Sequence, residues 1–349
     1  MRTLPLLLLM ACTVRRTHVA PHASERPVHR VTTADGAEVA LQHYANPGAP
    51  VVVLCHGISS NHHFWDLDPE HSLAVYLHDS GFDVWNMDLR GHGLATRQST
   101  GKRQPRGWTV DDYGLFDLPA AFSYVAEQTG TPQIHYVGHS LGGMVLAIHL
   151  SSTPDSPVER AVVVGSPLSF HAPTSLTKLM LGNARRLSLI RRWPTPLLAT
   201  GLSWFGTNAP LSADIMLFQP DNMDKPVRRR MLNTVVSPIV AGELRQFGQS
   251  TDGWFYSADG RIRYDTALSD VNIPMLFIAG RGDHVAPPDS VRSYFDAIGS
   301  PDKAFIVASR VNGFAADYGH LDLGLGDHAA AEIYPRIRQF LQQSPQEDP

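Results

Sequence analysis

Residues 134–143 read Ile-His-Tyr-Val-Gly-His-Ser-Leu-Gly-Gly, so Gly138, Ser140 and Gly142 form a Gly-x-Ser-x-Gly pattern. The apolar residues before it read as a short strand. Those after it (Met144, Val145, Leu146, Ala147, Ile148) read as a helix that is apolar nearly all round, and therefore buried. A serine on such a sharp strand-to-helix turn is held at strained backbone angles, and its neighbours must be tiny. Gly138 and Gly142 meet that need. The N-terminus of the helix aims partial positive charge at the place where an oxyanion would form. The chemistry this suits is nucleophilic catalysis. A serine hydroxyl is a poor nucleophile until an adjacent base takes its proton. An imidazole can accept that proton and return it to the leaving group, and a carboxylate fixes the imidazole tautomer. Ser140 therefore needs one histidine and one carboxylate from elsewhere in the chain.

Such groups have to be delivered by a scaffold, and the hydrophobic pattern supplies one. Val28–Thr33 and Glu38–Tyr44 flank Asp35-Gly36 as a hairpin. Val51–Leu54, Phe82–Met87, Ala161–Val164, Pro274–Ala279 and Ala304–Ala308 are apolar runs expected as strands, most of them covered on both faces. Helices are expected at Leu73–Asp79, at Asp111–Gln128, where Leu115, Leu118, Phe122 and Val125 fall at helical spacing, and at Glu332–Leu341. Strands alternating with helices predict an α/β fold with a mostly parallel central sheet flanked by helices. A length of 349 residues suits one large domain, 28–349, with an insertion. The net charge of -4 speaks against nucleic-acid binding, and no run reaches the ~18 apolar residues of a membrane span.

The serine turn, in this strand–helix context, resembles the α/β-hydrolase superfamily, and the resemblance covers roughly residues 28–343. It implies an acid just past a late strand. Asp283 follows the run Pro274–Ala279, and Val285 and Pro287 match the hydrophobe and proline that often come next. The resemblance also implies a last-placed base, often as Gly-His. Gly319-His320 fits; His328, at the start of the closing helix, fits less well. The order Ser140, Asp283, His320 is the order of this fold. One oxyanion N–H should be that of Leu141, directly after the nucleophile. The other is implied at Ile58, because His56-Gly57-Ile58 matches the family's oxyanion turn, with His56 as a structural hydrogen-bonding residue. Asp88-Leu89-Arg90-Gly91-His92-Gly93 matches a frequent family segment and reads as loop scaffolding. Segments 56–65 and 318–324 are similar to acid lipases and to polyhydroxyalkanoate polymerases. Those polymerases use cysteine as nucleophile, so Ser140 favours hydrolysis.

Between the strands ending at Val164 and starting at Pro274, no strand pattern is visible, and an inserted helical cap is expected over about 168–268. Its large apolar residues (Leu179, Met180, Leu181, Trp193, Leu197, Leu198, Leu202, Trp204, Phe205, Met216, Phe218) should form the cap's own core and line the way to the site. Residues 171–250 hold ten Lys/Arg against four acids, so a basic, apolar cap could face anionic lipid headgroups. At the N-terminus, Met1-Arg2, a short apolar run and Leu9-Met10-Ala11-Cys12 read as a signal peptide ending in a lipobox (1–12). Cys12 would carry the lipid and 13–27 would be a tether, which predicts an exported, membrane-anchored bacterial lipoprotein; a plain signal would give a periplasmic or secreted protein. Cys55, the other cysteine, reads as a small buried hydrophobe. No Cys/His spacing suggests a metal, and no cofactor is implied. The resulting expectation is a serine esterase or lipase for apolar acyl esters, acting through an acyl-enzyme. An acyltransferase using the same residues and a non-catalytic binding protein on this fold are the alternatives.

Overall fold

The computed structural model describes residues 26–170, 175–205 and 217–343. The expected signal and lipobox with Cys12, and the tether as far as residue 25, lie outside the described residues. The strands are β1 (Val28–Thr32), β2 (Glu38–Tyr44), β3 (Val51–Cys55), β4 (Asp83–Asp88), β5 (Ile134–His139), β6 (Val158–Val164), β7 (Arg192–Trp193), β8 (Ile239–Val240), β9 (Met275–Gly280) and β10 (Lys303–Ala308). Eight of them form one sheet in the order β1-β2-β4-β3-β5-β6-β9-β10. The six strands from β4 to β10 in that order are parallel, and β2 runs antiparallel to both β1 and β4. The chain steps from β3 to β4 on one side and then to β5 on the other. A crevice therefore opens above the carboxyl ends of β3 and β5, where open α/β sheets keep their sites.

The central strands are apolar because both faces are covered. On one face α2 (Leu118–Thr129) and α3 (Leu141–Ser152) pack Phe122, Val125, Val145 and Ile148 against Trp85, Tyr136 and Val163. On the other, α1 (Leu73–Asp79) and the C-terminal helix Tyr334–Leu341 pack Leu77 and Ile337 with Leu54, Val84 and Val162. Cys55 is buried in β3, and burial pushes its thiol up to about 12.

The single helix expected over 111–128 is broken: Val110–Asp112 is followed by a π-turn at Tyr113–Asp117 before α2 begins. Pro119 lacks an N–H and its ring clashes with the carbonyl one turn back, so a regular ladder cannot run through it. Pro335 likewise separates Ala329–Glu332 from the closing helix. A helix at Pro288–Ala297, which the pattern did not bring out, connects β9 to β10.

The β6–β9 connection carries α4 (Ser175–Leu187), α5 (Thr195–Phe205), α6 (Lys225–Thr234) and α7 (Ala241–Phe247). It also contains a two-residue ribbon, β7 paired with β8, too short to leave an alternating pattern. Of the apolar residues expected to form the cap's core or line the way to the site, Phe218 is buried, whereas Leu197 and Leu198 are exposed. Met216 and the side chains of Leu179, Met180, Leu202, Trp204 and Phe205 lie outside the described residues.

Candidate active site

Ser140 follows the last residue of β5 and precedes α3, with φ 52 and ψ -116. For a residue with a Cβ this conformation costs about 1–3 kcal/mol. The glycines on either side explain why it can exist. A Cβ on Gly138 would stand 2.7 Å from the backbone of Gly142 and Gly143, and one on Gly142 would stand 2.7 Å from the Cys55 carbonyl oxygen. The Ser140 N–H is held by the Val164 carbonyl at 2.8 Å, which ties the turn to β6.

Asp283 sits in the turn after β9 and His320 in the loop after β10, 37 residues apart in sequence. Asp283 Oδ1 accepts the N–H groups of Val285 and Ala286, both at 2.7 Å. Its Oδ2 accepts from His320 Nδ1 at 2.7 Å. An ionised carboxylate only accepts, so the Nδ1 proton is assigned to the imidazole and Nε2 is left as an acceptor. His320 Nε2 lies 2.9 Å from Ser140 Oγ. The structure thus brings together the three side chains singled out in the sequence, with Ser140 5 % and His320 4 % exposed. His328 stands apart from them at the N-terminus of Ala329–Glu332.

The loop after β3 closes the other side. A Cβ on Gly57 would stand 3.0 Å from His139 Nδ1 and 3.1 Å from Ser140 Cβ, tighter than ordinary contact, so glycine eases the close approach of this loop to the serine. Ile58 follows. Among the described residues neither its N–H nor that of Leu141 is given to a backbone carbonyl. Leu141 is the first residue of α3, where such N–H groups have no partner within the helix. His56 is buried, with Nδ1 donating to the Gly57 carbonyl at 2.8 Å and Nε2 accepting the Leu89 N–H at 3.3 Å. Burial lowers its pKa, and both ring nitrogens are occupied by the loops they hold. Asp88 accepts from the His62 ring and from the N–H groups of His62 and Leu94, each at 2.7 Å. Although burial opposes it, this set of donors keeps Asp88 well below the usual carboxylate range.

Several further contacts hold the loops around the site. His139, beside the nucleophile, donates from Nε2 to the backbone carbonyl of His320 at 3.0 Å and stacks on Phe64. Burial, and the neighbouring His320, keep its pKa far below the ordinary value, so it is a neutral prop for the loop that carries His320. Asp322 accepts from Gly319 N–H at 2.9 Å and Asn222 at 2.7 Å, joining that loop to the β6–β9 connection, while Gln219 donates to the Gly282 carbonyl at 2.8 Å.

Another contact is at Ser59, directly after Ile58, which has φ 54 without being glycine. Its hydroxyl donates to the Ser237 carbonyl at 2.6 Å, and the Ser237 N–H donates back to the Ser59 carbonyl at 2.8 Å. This reciprocal pair offsets the local strain and anchors the backbone directly after Ile58. Ser59→Ala should lower kcat about two- to tenfold with KM little changed, the scale of one lost hydrogen bond. Steady-state kinetics on a soluble ester tests this, and a change in KM alone would refute it.

A further tie between the connection and the sheet domain is ionisable. Glu243 at the start of α7 is fully buried and accepts from Tyr113 at 2.9 Å and from the Val240 N–H at 2.8 Å. Burial pushes its pKa up from 4.5 to about 7 despite these donors. In that window the folded chain holds a proton the unfolded chain has released. The stabilisation is therefore complete below about pH 4.5 and lost as pH rises through about 7. A shift of this size corresponds to about 3 kcal/mol at most. Urea unfolding at pH 5 and pH 8 should show this decline in the parent chain and a flatter response in Glu243→Gln.

The α/β hydrolase fold family model matches residues 50–311 of this chain. Lipase 1 of Drosophila melanogaster is 24 % identical over 367 residues, covering 95 % of this chain and 80 % of the fly protein. Lipase member K of Homo sapiens is 24 % identical, covering 87 % and 84 %. Among solved structures, a thermophilic esterase from Thermogutta terrifontis superimposes with a TM-score of 0.60 at 19 % identity, covering 90 % of this chain and 98 % of that one. With most of its length matched by the family model and its sheet, strand order and serine turn as described, the chain belongs to the α/β hydrolase fold family.

Proposed function

We propose that this chain is a serine hydrolase of carboxylic esters that works through an acyl-enzyme. The observation that carries the reading is the unbroken relay from Ser140 Oγ to His320 Nε2 at 2.9 Å and from His320 Nδ1 to Asp283 at 2.7 Å. His320 takes the Ser140 proton as Oγ attacks the ester carbonyl and returns it to the departing alkoxide. Asp283 holds the imidazole in the tautomer that can do this and steadies its positive charge. The N–H groups of Ile58 and Leu141 receive the oxyanion. Water, activated by His320 in turn, then releases the acid. Curated relatives named as lipases support an ester, and a lipid one, as the substrate. On this reading the β6–β9 connection is a cap, tied to the base loop through Asp322 and to the oxyanion loop through Ser237. Cys12, as the lipidated first residue of an exported mature chain, would tether it to a membrane.

The test is rapid-mixing hydrolysis of p-nitrophenyl esters from acetate to palmitate. A burst of p-nitrophenol equal to the enzyme concentration, absent in Ser140→Ala, is expected. Folded protein with no turnover of any ester would sink the reading. Product analysis with an added alcohol separates hydrolysis from acyl transfer.

A further inference from the structure

Four of the eight exposed large hydrophobic residues among those described fall within ten positions of the β6–β9 connection: Leu189 is 83 % exposed, Leu197 56 %, Leu198 55 % and Ile190 46 %. They flank β7, and the Trp193 indole N–H donates to the Leu187 carbonyl at 3.0 Å, folding this stretch back on the end of α4. Arginines frame them. Arg185, Arg186, Arg191 and Arg192 are exposed, and none forms an ion pair with a carboxylate among the described residues. Arg97 and Arg103, from the loop beyond β4, extend the same charge. After partial burial, their proximity is what lowers the pKa of Arg192. A surface on which apolar side chains stand in water among cations without carboxylate partners has the composition of a segment that settles into an anionic lipid headgroup layer.

Its position gives the surface a use. Thr195, two residues before Leu197, has its hydroxyl 3.3 Å from Ser59 Oγ and donates to the same Ser237 carbonyl at 2.6 Å. Leu197 and Leu198 therefore lie in the first turn of a helix whose first residue touches the loop that carries Ile58. We propose that the tip around Leu189, Ile190, Leu197 and Leu198, with its surrounding arginines, docks this protein on anionic lipid bilayers beside the mouth of the active site, so that its ester substrates arrive from the membrane. This rests on the ester-hydrolase reading. Docking would leave hydrolysis of a dissolved ester untouched and speed that of an ester embedded in a bilayer.

The experiment uses the full chain carrying Cys12→Ser, so that an acyl anchor makes no contribution. Co-sedimentation is measured with vesicles of phosphatidylcholine alone and of phosphatidylcholine with phosphatidylglycerol, at low and high salt. Binding to the anionic vesicles, weakened by salt, is expected. Leu189→Glu/Leu198→Glu and, separately, Arg185→Gln/Arg186→Gln/Arg191→Gln should each reduce it about tenfold or more. These side chains are exposed, so both variants should retain parental turnover of dissolved p-nitrophenyl acetate. No binding by the parent, equal binding to both vesicle types, or unchanged binding in both variants overturns the proposal while acetate turnover persists. So does a parent that is a dimer without lipid and dissociates in the leucine variant, which would make a second copy the occupant. Absence of acetate turnover in the parent would instead strike the ester-hydrolase reading itself.

Discussion

Replacing Ser140 by alanine is expected to lower kcat for ester hydrolysis by about 10⁶-fold. With Oγ removed no acyl-enzyme can form, and water must attack the ester directly. The Ile58 and Leu141 N–H groups and substrate binding would remain, leaving a residual rate about 10³–10⁴ above the uncatalysed one. His320→Ala should cost nearly as much, because a serine that keeps its proton is no better than one that is missing. The double variant Ser140→Ala/His320→Ala should then be no worse than either single change. Independent contributions would multiply to about 10¹², so this comparison separates a two-residue relay from two unrelated roles. The fold should not suffer. Among the described residues the bond to His320 is the one side-chain hydrogen bond of Ser140 Oγ. Thermal unfolding of Ser140→Ala should accordingly match the parent. A folded variant with undiminished kcat would exclude Ser140 as nucleophile.

How much of this site could be read beforehand follows from where its constraints lie along the chain. The turn around Ser140 is local: strand, glycines and apolar helix are contiguous, so the steric demand that makes the turn possible is written in ten residues. Asp283 and His320 are each placed by the end of a strand, and the alternating pattern located those strands to within a residue or two. The contacts between the scaffold and the β6–β9 connection are of another kind. Ser59 and Ser237 are 178 residues apart, and on the Ser237 side the contact uses only backbone groups that every residue possesses. No choice of side chain at Ser237 announces the contact. At Ser59 the positive φ would ordinarily be marked by glycine or asparagine, and here it is imposed by tertiary bonds instead. Asp322, two residues past His320, could have been suspected as an acid next to the base, but its partner Asn222 lies in a segment without pattern. The breaks at Pro119 and Pro335 were visible as residues, yet their effect on the helices depends on what packs beside them. Leu197 and Leu198 stand exposed, and the sequence could not say which of the cap's apolar residues would be covered: helical spacing identifies an apolar face and says nothing about what packs on it.

Asp283→Asn should lower kcat by about 10⁴-fold while leaving the fold intact, and the way this carboxylate is held makes the expectation specific. Oδ1 accepts two backbone N–H groups, from Val285 and Ala286, both at 2.7 Å. An asparagine must keep its carbonyl oxygen there, because turning its NH₂ toward two N–H donors would set donor against donor in a buried turn. The NH₂ group is then the atom facing His320 Nδ1, where Oδ2 now accepts at 2.7 Å. A donor in that place obliges Nδ1 to accept and moves the imidazole proton to Nε2. The nitrogen 2.9 Å from Ser140 Oγ would carry a hydrogen and could not take one. The loss is thus in proton transfer, so KM for a short soluble ester should change little and the burst should be slowed as much as the steady state. A proton resonance at low field from the Nδ1–H of His320, expected in the parent chain, should be missing in the variant. Asp283→Asn with parental kcat would show that the tautomer of His320 is fixed by something other than Asp283. Asp283→Ala makes the complementary case. It removes the imidazole's orienting partner without imposing the wrong tautomer, but it strands two buried N–H groups, at about 1–3 kcal/mol each, so it should unfold at a lower temperature than Asp283→Asn.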